Sequence, residues 1–279
     1  MGRAVVEDCG SSGDLVFPYD HRSLDIGDPD RVKQIFQEDR PDVVINCAAW
    51  TDVDGCQRDK ERAFAANARG PANLAKGSSE IGAVLVTIST DYVFDGEKQG
   101  FYTQRDQPNP QSVYGASKLE GERRAQLTWS RTVVVRTGFI FGPGGNNFLS
   151  TIIERARQGE KLKAIADAYG TPTYSRDLAA RLRKLAQLDL PGTFHVVNAG
   201  AGVSYEVFAQ AALEVGGYSS TNLESVTTSS LHRPAPRPRN SRLRCLLSEA
   251  IGLTPLPFWK DSLRDFVTLA SQNELAAKS

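Results

Sequence analysis

The stretch "AVLVTIST", residues Ala83 to Thr90, decides the fold. It is almost continuously apolar and rich in β-branched side chains, which is how a parallel strand buried on both faces reads. Two other runs share that character: "DVVINCAA" (Asp42 to Ala49) and "TVVVRTGFIF" (Thr132 to Phe141). "DLVFPYD" (Asp14 to Asp20) is expected as a weaker fourth strand, with Pro18 near its end. Helix-period segments separate these runs. "DPDRVKQIFQEDR" offers Asp28 as N-cap and Pro29 in the first turn. "ERAFAANARGPANLAKGSSEIG" is Ala-rich and amphipathic, and "SVYGASKLEGERRAQL" follows a long loop. Strand alternating with helix predicts right-handed crossovers and an α/β, Rossmann-like, doubly wound parallel sheet. Ligands of such a sheet bind beyond the carboxyl ends of the strands. That rule gathers Ala49, Trp50 and Thr51, then Thr90 and Asp91, then Thr137, Gly138 and Phe139, along one crevice.

The second half changes character. "GTPTYSRDLAARLRKLAQL" and "SYEVFAQAALEVGG" read as helices with the strand "GTFHVVNAG" between them, and "WKDSLRDFVTLASQNELAA" reads as a closing helix. We therefore expect a dinucleotide-binding domain over 1–145 and a smaller, mainly substrate-binding lobe over 146–279, interleaved with the first.

Composition narrows the function classes. Lys+Arg and Asp+Glu number 33 each in 279 residues, a formal net charge of +0, so no basic footprint for nucleic acid exists. No apolar run approaches the roughly 20 residues of a membrane span, and no signal peptide opens the chain. Cys9, Cys47, Cys56 and Cys245 form no C-x-x-C pair, and His21, His195 and His232 form no metal-like pair. Free thiols, a cytoplasmic location and no metal site are the expectations. The one basic cluster, "HRPAPRPRNSRLR", reads as a loop that grips something small and anionic.

Tyr114 and Lys118 lie four positions apart, so one helix face can present both. The spacing alone reads as a solvated lysine packed on a surface tyrosine, and only the rest of the chain overturns that. Placed against the strand end at Thr90, the trio suits transfer of a hydride to a carbonyl. An ammonium beside a phenol lowers the phenol's pKa, and Tyr114 would protonate the oxygen while Thr90 holds it. The hydride must come from a nicotinamide, because no side chain supplies one.

Thr90 with Tyr-x-x-x-Lys resembles the set of the extended short-chain dehydrogenases/reductases. More closely, "PDVVINCAAWTDVD", "ISTDYVFDG", "VYGASKLEGE", "GTPTYSRDLA" and "RPRNSRL" resemble the dTDP-4-dehydrorhamnose reductases. Sugar-nucleotide dehydratases of the wider group place Asp-Glu after the catalytic Thr, whereas Tyr92 follows Asp91 here. The resemblance implies reduction of dTDP-4-dehydro-6-deoxy-L-mannose to dTDP-L-rhamnose with NADPH or NADH. It assigns Tyr114 as proton donor, Lys118 as its pKa-lowering neighbour and ribose ligand, and Thr90 and Asp91 to the keto sugar. Gly2, Asp25, Ile26, Ala49, Trp50 and Thr51 fall to the cofactor. Asp20 is either a ligand of the adenosine ribose or a solvated turn acid, and Arg22 nearby would accept a 2′-phosphate. Phe139, Asn147 and Arg237 fall to the nucleotide sugar, Arg237 through its diphosphate. Some such reductases dimerise, so a homodimer belongs to the same expectations.

Two departures accompany the resemblance. Phe139 stands where Trp is usual and lacks the indole N–H, which opens the identity of the sugar. Gly2 and Arg3 match only the end of the glycine-rich G-x-x-G-x-x-G turn, so the first strand and that turn are expected upstream of Met1. A non-catalytic regulatory protein, as in the regulatory subunit of methionine adenosyltransferase, and a reductase of another nucleotide-linked 4-keto sugar are the alternative functions.

Overall fold

Four strands form the central sheet in the order Val43–Asn46, Val84–Thr90, Thr132–Thr137, Gly192–His195, all parallel. The computed structural model describes residues 1–145 and 147–278. The two middle strands are buried on both faces, as their continuous apolar character requires. The register pairs Thr90 with Thr137, so both strands deliver a hydroxyl to the same end of the sheet.

Helices cover both faces. Helices Gly2–Ser11 and Ser175–Leu188 bury Val5, Cys9, Leu178, Leu182 and Leu185 against Val86, Val133 and Val135. On the other face Val32, Ile35 and Phe36 of helix Pro29–Asp39 meet Leu74, Ala75 and Leu85. Each such side chain removed from water stabilises by about 1.5–3 kcal/mol before chain entropy is counted. Asp28 caps its helix as expected, accepting from the Asp30 and Arg31 N–H groups at 3.0 Å each. Residues 146–279 contribute both the Ser175–Leu188 helix and the Gly192–His195 strand to this layer, so the chain passes from sheet to lobe and back. The lobe itself buries Phe141, Leu149, Phe208, Trp259 and Leu263 in one cluster, beside a parallel pair of strands, Leu162–Ile165 and Leu223–Val226.

Two expectations need correction. Residues 14–20 form no strand: Leu15 is 83% exposed, and only Val16 packs on the core. Strand propensity there finds no neighbouring backbone to pair with, and Pro18 cannot donate. The Ala-rich segment is three pieces, Lys60–Phe64, a π-helical turn Ala65–Arg69, and Gly70–Ile81. The extra residue of a π turn re-aims nearby side chains, and here the turn presents the buried Asn67.

Candidate active site

Thr90 closes the second strand in extended backbone, φ −132° and ψ 154°, and its hydroxyl caps the single turn Asp91–Val93 by accepting from the Tyr92 N–H at 3.2 Å. The same hydroxyl donates to Asp91 Oδ1 at 3.1 Å. Opposite runs helix Val113–Thr128, capped by Ser112, whose Oγ accepts from the Gly115 N–H at 3.2 Å. The approach is very tight. A Cβ on Gly115 would lie 2.2 Å from the Tyr92 carbonyl oxygen, so only glycine fits there. Tyr114 is thereby set edge-on to Tyr92, ring centroids 5.9 Å apart, with the Thr90 side chain acting on its phenol. One turn further on, Lys118 is buried and its Nζ donates to the Ile88 carbonyl at 2.7 Å. Tyr114 and Lys118 therefore converge on one strand, at Thr90 and Ile88.

The electrostatics correct one expectation. Burial raises the Tyr114 pKa above that of an ordinary phenol; Thr90 lowers it, whereas Asp91, Tyr92 and Cys56 raise it. The net result is a raised value, while the Lys118 ammonium donates to the Ile88 carbonyl. Burial in turn lowers Lys118 to about 8, against the raising effects of Glu122 and Cys47. Tyr114 thus rests as a neutral phenol with a proton to give. Asp91, fully enclosed, is pushed by burial up to about 6. Below the site Glu122 meets Arg136 at 2.7 Å and takes a hydrogen bond from Ser89, a buried network that holds helix to sheet.

Gly138 packs on the Asp91 carboxylate, and the next residue, Phe139, adopts a positive φ of 45°. Its ring stacks on Tyr205 at 4.1 Å and lies flat against Gly170, where a Cβ would strike it at 2.2 Å. A cavity of about 270 Å³ beside it is lined by Tyr92, Tyr205, Phe148, Lys163, Arg233 and Arg237 among others. The Arg237 fork is not vacant: Nη1 and Nη2 donate to Asp54 Oδ1 and Oδ2 at 2.9 Å each. Asn147 uses its side chain locally, capping helix Phe148–Arg157 through Ser150 and donating to the Gly142 carbonyl at 3.1 Å.

On the other side of the crevice a cavity of about 1640 Å³ borders the Val43–Asn46 strand, with Gly2, Asp20, Asp25, Ile26, Ala49 and Trp50 in its lining. Thr51 is exposed and outside it. Asp20 holds its own turn, accepting from the Arg22 and Ser23 N–H groups at 3.0 and 2.9 Å. Asp25 accepts from the Gly27 N–H at 2.8 Å, and Ile26 packs against Gly70. Asn67 binds both the N–H and the carbonyl of Trp50, at 2.8 and 3.0 Å, and reaches Ser117 Oγ at 3.1 Å. It ties the Trp50 segment to the tyrosine helix. Helix Gly2–Ser11 starts without a side-chain cap, and Gly2 faces open space, so its first N–H groups suit an anionic group of a cofactor. Among the described residues no cluster of His, Cys, Asp and Glu could hold a metal, and no helix is long and apolar enough to cross a membrane.

Sequence reasoning missed Asn67, Tyr92, Tyr205, Arg233 and Asp54. Tyr92 had a signal, its place next to Asp91 at a strand end. Arg233 had one in the basic cluster. Asn67, Tyr205 and Asp54 lie in segments distant along the chain, and only the fold assembles them.

Residues 1–271 match the family model described as the RmlD substrate binding domain. A dTDP-4-dehydrorhamnose reductase of Streptomyces griseus is 35% identical over 271 residues, covering 95% of this chain and 89% of that protein. A crystal structure of a dTDP-4-dehydrorhamnose reductase from Clostridium acetobutylicum superimposes with a TM-score of 0.93 at 38% identity, over 97% of this chain and 95% of that one. One from Bacillus anthracis, solved in complex with NADP, gives 0.92 at 35% identity, over 95% and 94%.

Proposed function

The chain belongs to the RmlD substrate-binding-domain family, and from that premise we propose that it reduces dTDP-4-dehydro-6-deoxy-L-mannose to dTDP-L-rhamnose at the expense of NADPH. The observation that carries this reading is the convergence of Thr90, Tyr114 and Lys118 at the carboxyl end of the central strand. When bound, the reduced nicotinamide supplies the hydride that adds to C4 of the sugar. The chain's own residues then handle the oxygen. Thr90 donates a hydrogen bond to O4 and orients it. Tyr114, a protonated phenol, gives its proton to the oxygen as negative charge develops there. Lys118 stands one turn away as the buried cation of the site and would bind the cofactor ribose. Gly2, Asp25, Ile26, Ala49 and Trp50 would hold the dinucleotide; Asp20 serves its turn and, when the adenosine arrives, its ribose. Phe139 and Tyr205 form an aromatic wall, and Arg237 exchanges its Asp54 partner for the diphosphate of the substrate, whose oxygens match the guanidinium fork.

Residues 1–145 form the dinucleotide-binding part in this reading, and residues 146–279 mainly the sugar-nucleotide part. A cytoplasmic homodimer completes the reading; light scattering on purified protein measures the oligomeric state. The function is tested by incubating the chain with NADPH and the dTDP-linked 4-keto sugar. One NADPH should disappear for each dTDP-L-rhamnose formed. Binding of NADPH with no conversion of the sugar would overturn the reading in favour of a regulatory protein.

A further inference from the structure

Asp91 is 2% exposed, and its two oxygens differ. Oδ1 accepts from the Thr90 hydroxyl at 3.1 Å, whereas Oδ2 is buried with no hydrogen-bond partner, pressed on Gly138, where a Cβ would lie 2.3 Å away. An unpartnered buried oxygen is far costlier on a carboxylate than on a carboxylic acid. The groups that face Asp91 are the hydroxyls of Thr90 and Ser241 and the phenols of Tyr92, Tyr114 and Tyr205. Arg237 and Arg233 act on Tyr92.

The Thr90 hydroxyl has one hydrogen and two lone pairs. The Tyr92 N–H always takes one lone pair. If Asp91 is ionised it can only accept, so the Thr90 hydrogen points at Oδ1 and not at a substrate. If Asp91 is protonated on Oδ1, it donates to Thr90 and fills the second lone pair, and the Thr90 hydrogen must turn outward.

We propose that Asp91 is a positioning residue: as the neutral acid it turns the Thr90 hydroxyl onto the substrate oxygen, and as the carboxylate it withdraws that hydroxyl. No bond is made or broken at Asp91, whose proton stays on the carboxyl group while Tyr114 gives up its own. The inference rests on the reductase reading above. It also has a reason to show within the assay range, since burial already holds Asp91 up at about 6.

The test is kcat for keto-sugar reduction, from about pH 5.5 to about 7.5, below the pH at which Lys118 loses its charge, for the native chain, Asp91→Asn and Asp91→Ala, with NADPH binding titrated for each. The native kcat should fall about tenfold per pH unit once the pH passes the Asp91 pKa. The asparagine amide does not titrate and can donate permanently to Thr90, so Asp91→Asn should stay active and level on the alkaline side, where the native chain has dropped. Asp91→Ala should be low and flat throughout. An Asp91→Asn profile that falls like the native one would overturn the proposal. So would Asp91→Asn as inactive as Asp91→Ala while both bind NADPH normally. Absence of reduction by the native chain at every pH would overturn the reductase reading itself, an outcome distinct from either of these.

Discussion

Arg237 and Asp54 meet fork to carboxylate across a sequence gap of 183 residues, both partly buried. Their geometry shows how one side chain can hold a site ready and still bind a ligand: the anion that fits the Arg237 fork is already mimicked by Asp54. Arg237→Lys keeps the charge but not the two parallel donors. It should raise KM for the nucleotide sugar about tenfold while changing kcat by less than about threefold, since a charged hydrogen-bond pair contributes about 1.5–3 kcal/mol. Steady-state kinetics at saturating NADPH measures the split, and an unchanged KM would remove Arg237 from the substrate site. The arginine was legible because it sits in a basic, Pro-rich stretch; its resting partner was not, because Asp54 follows Trp50 on another element. The same limit applies to Tyr114. Its identity and spacing to Lys118 were readable, but the sign of its pKa shift depends on burial and on Asp91, Tyr92 and Cys56 around it, which are tertiary facts.

At the scale of elements, the tyrosine helix docks on the strand end through glycines. Gly115 meets the Tyr92 carbonyl, and Gly121 meets the Asn67 carbonyl, where a Cβ would lie 2.1 Å away. Gly115→Ala cannot be absorbed by a side-chain movement, because the obstructing atom is backbone. The helix must retreat, moving Tyr114 from Thr90. The expected cost is about 1–3 kcal/mol in urea unfolding, and a loss of about 100-fold in kcat, because small misplacements of a reacting group are expensive. A variant with native stability and turnover would show that the contact is not what aims the phenol. "VYGASK" announced a helix, yet the reason for its glycine could not be read before the Asp91–Val93 turn was placed against it. The converse error arose at residues 14–20, where β-branched and aromatic residues suggested a strand. Propensity describes a chain's preference, but a strand exists only where a neighbour offers its hydrogen bonds.

Over the whole molecule, the parallel strands bring residues from three separate segments to one edge, and the second half of the chain begins the lobe, returns to complete the sheet, and then finishes the lobe. Apolar runs made that architecture legible, because strands buried on both faces leave little room for polar residues. The lobe was legible only as helices and a closing segment, since its short strand pairs, such as Ile140–Phe141 with Thr173–Tyr174, contain too few residues to show a period. In the proposed reaction, the assembled molecule would set a neutral phenol, beside a threonine hydroxyl, where the reduced ketone needs a proton. The most direct measurement is the rate of NADPH oxidation with the keto sugar for Tyr114→Phe beside the native chain, with NADPH affinity measured for both. The account predicts a kcat lower by about 10²–10⁴-fold at unchanged NADPH affinity; turnover within a few-fold of the native chain would contradict it.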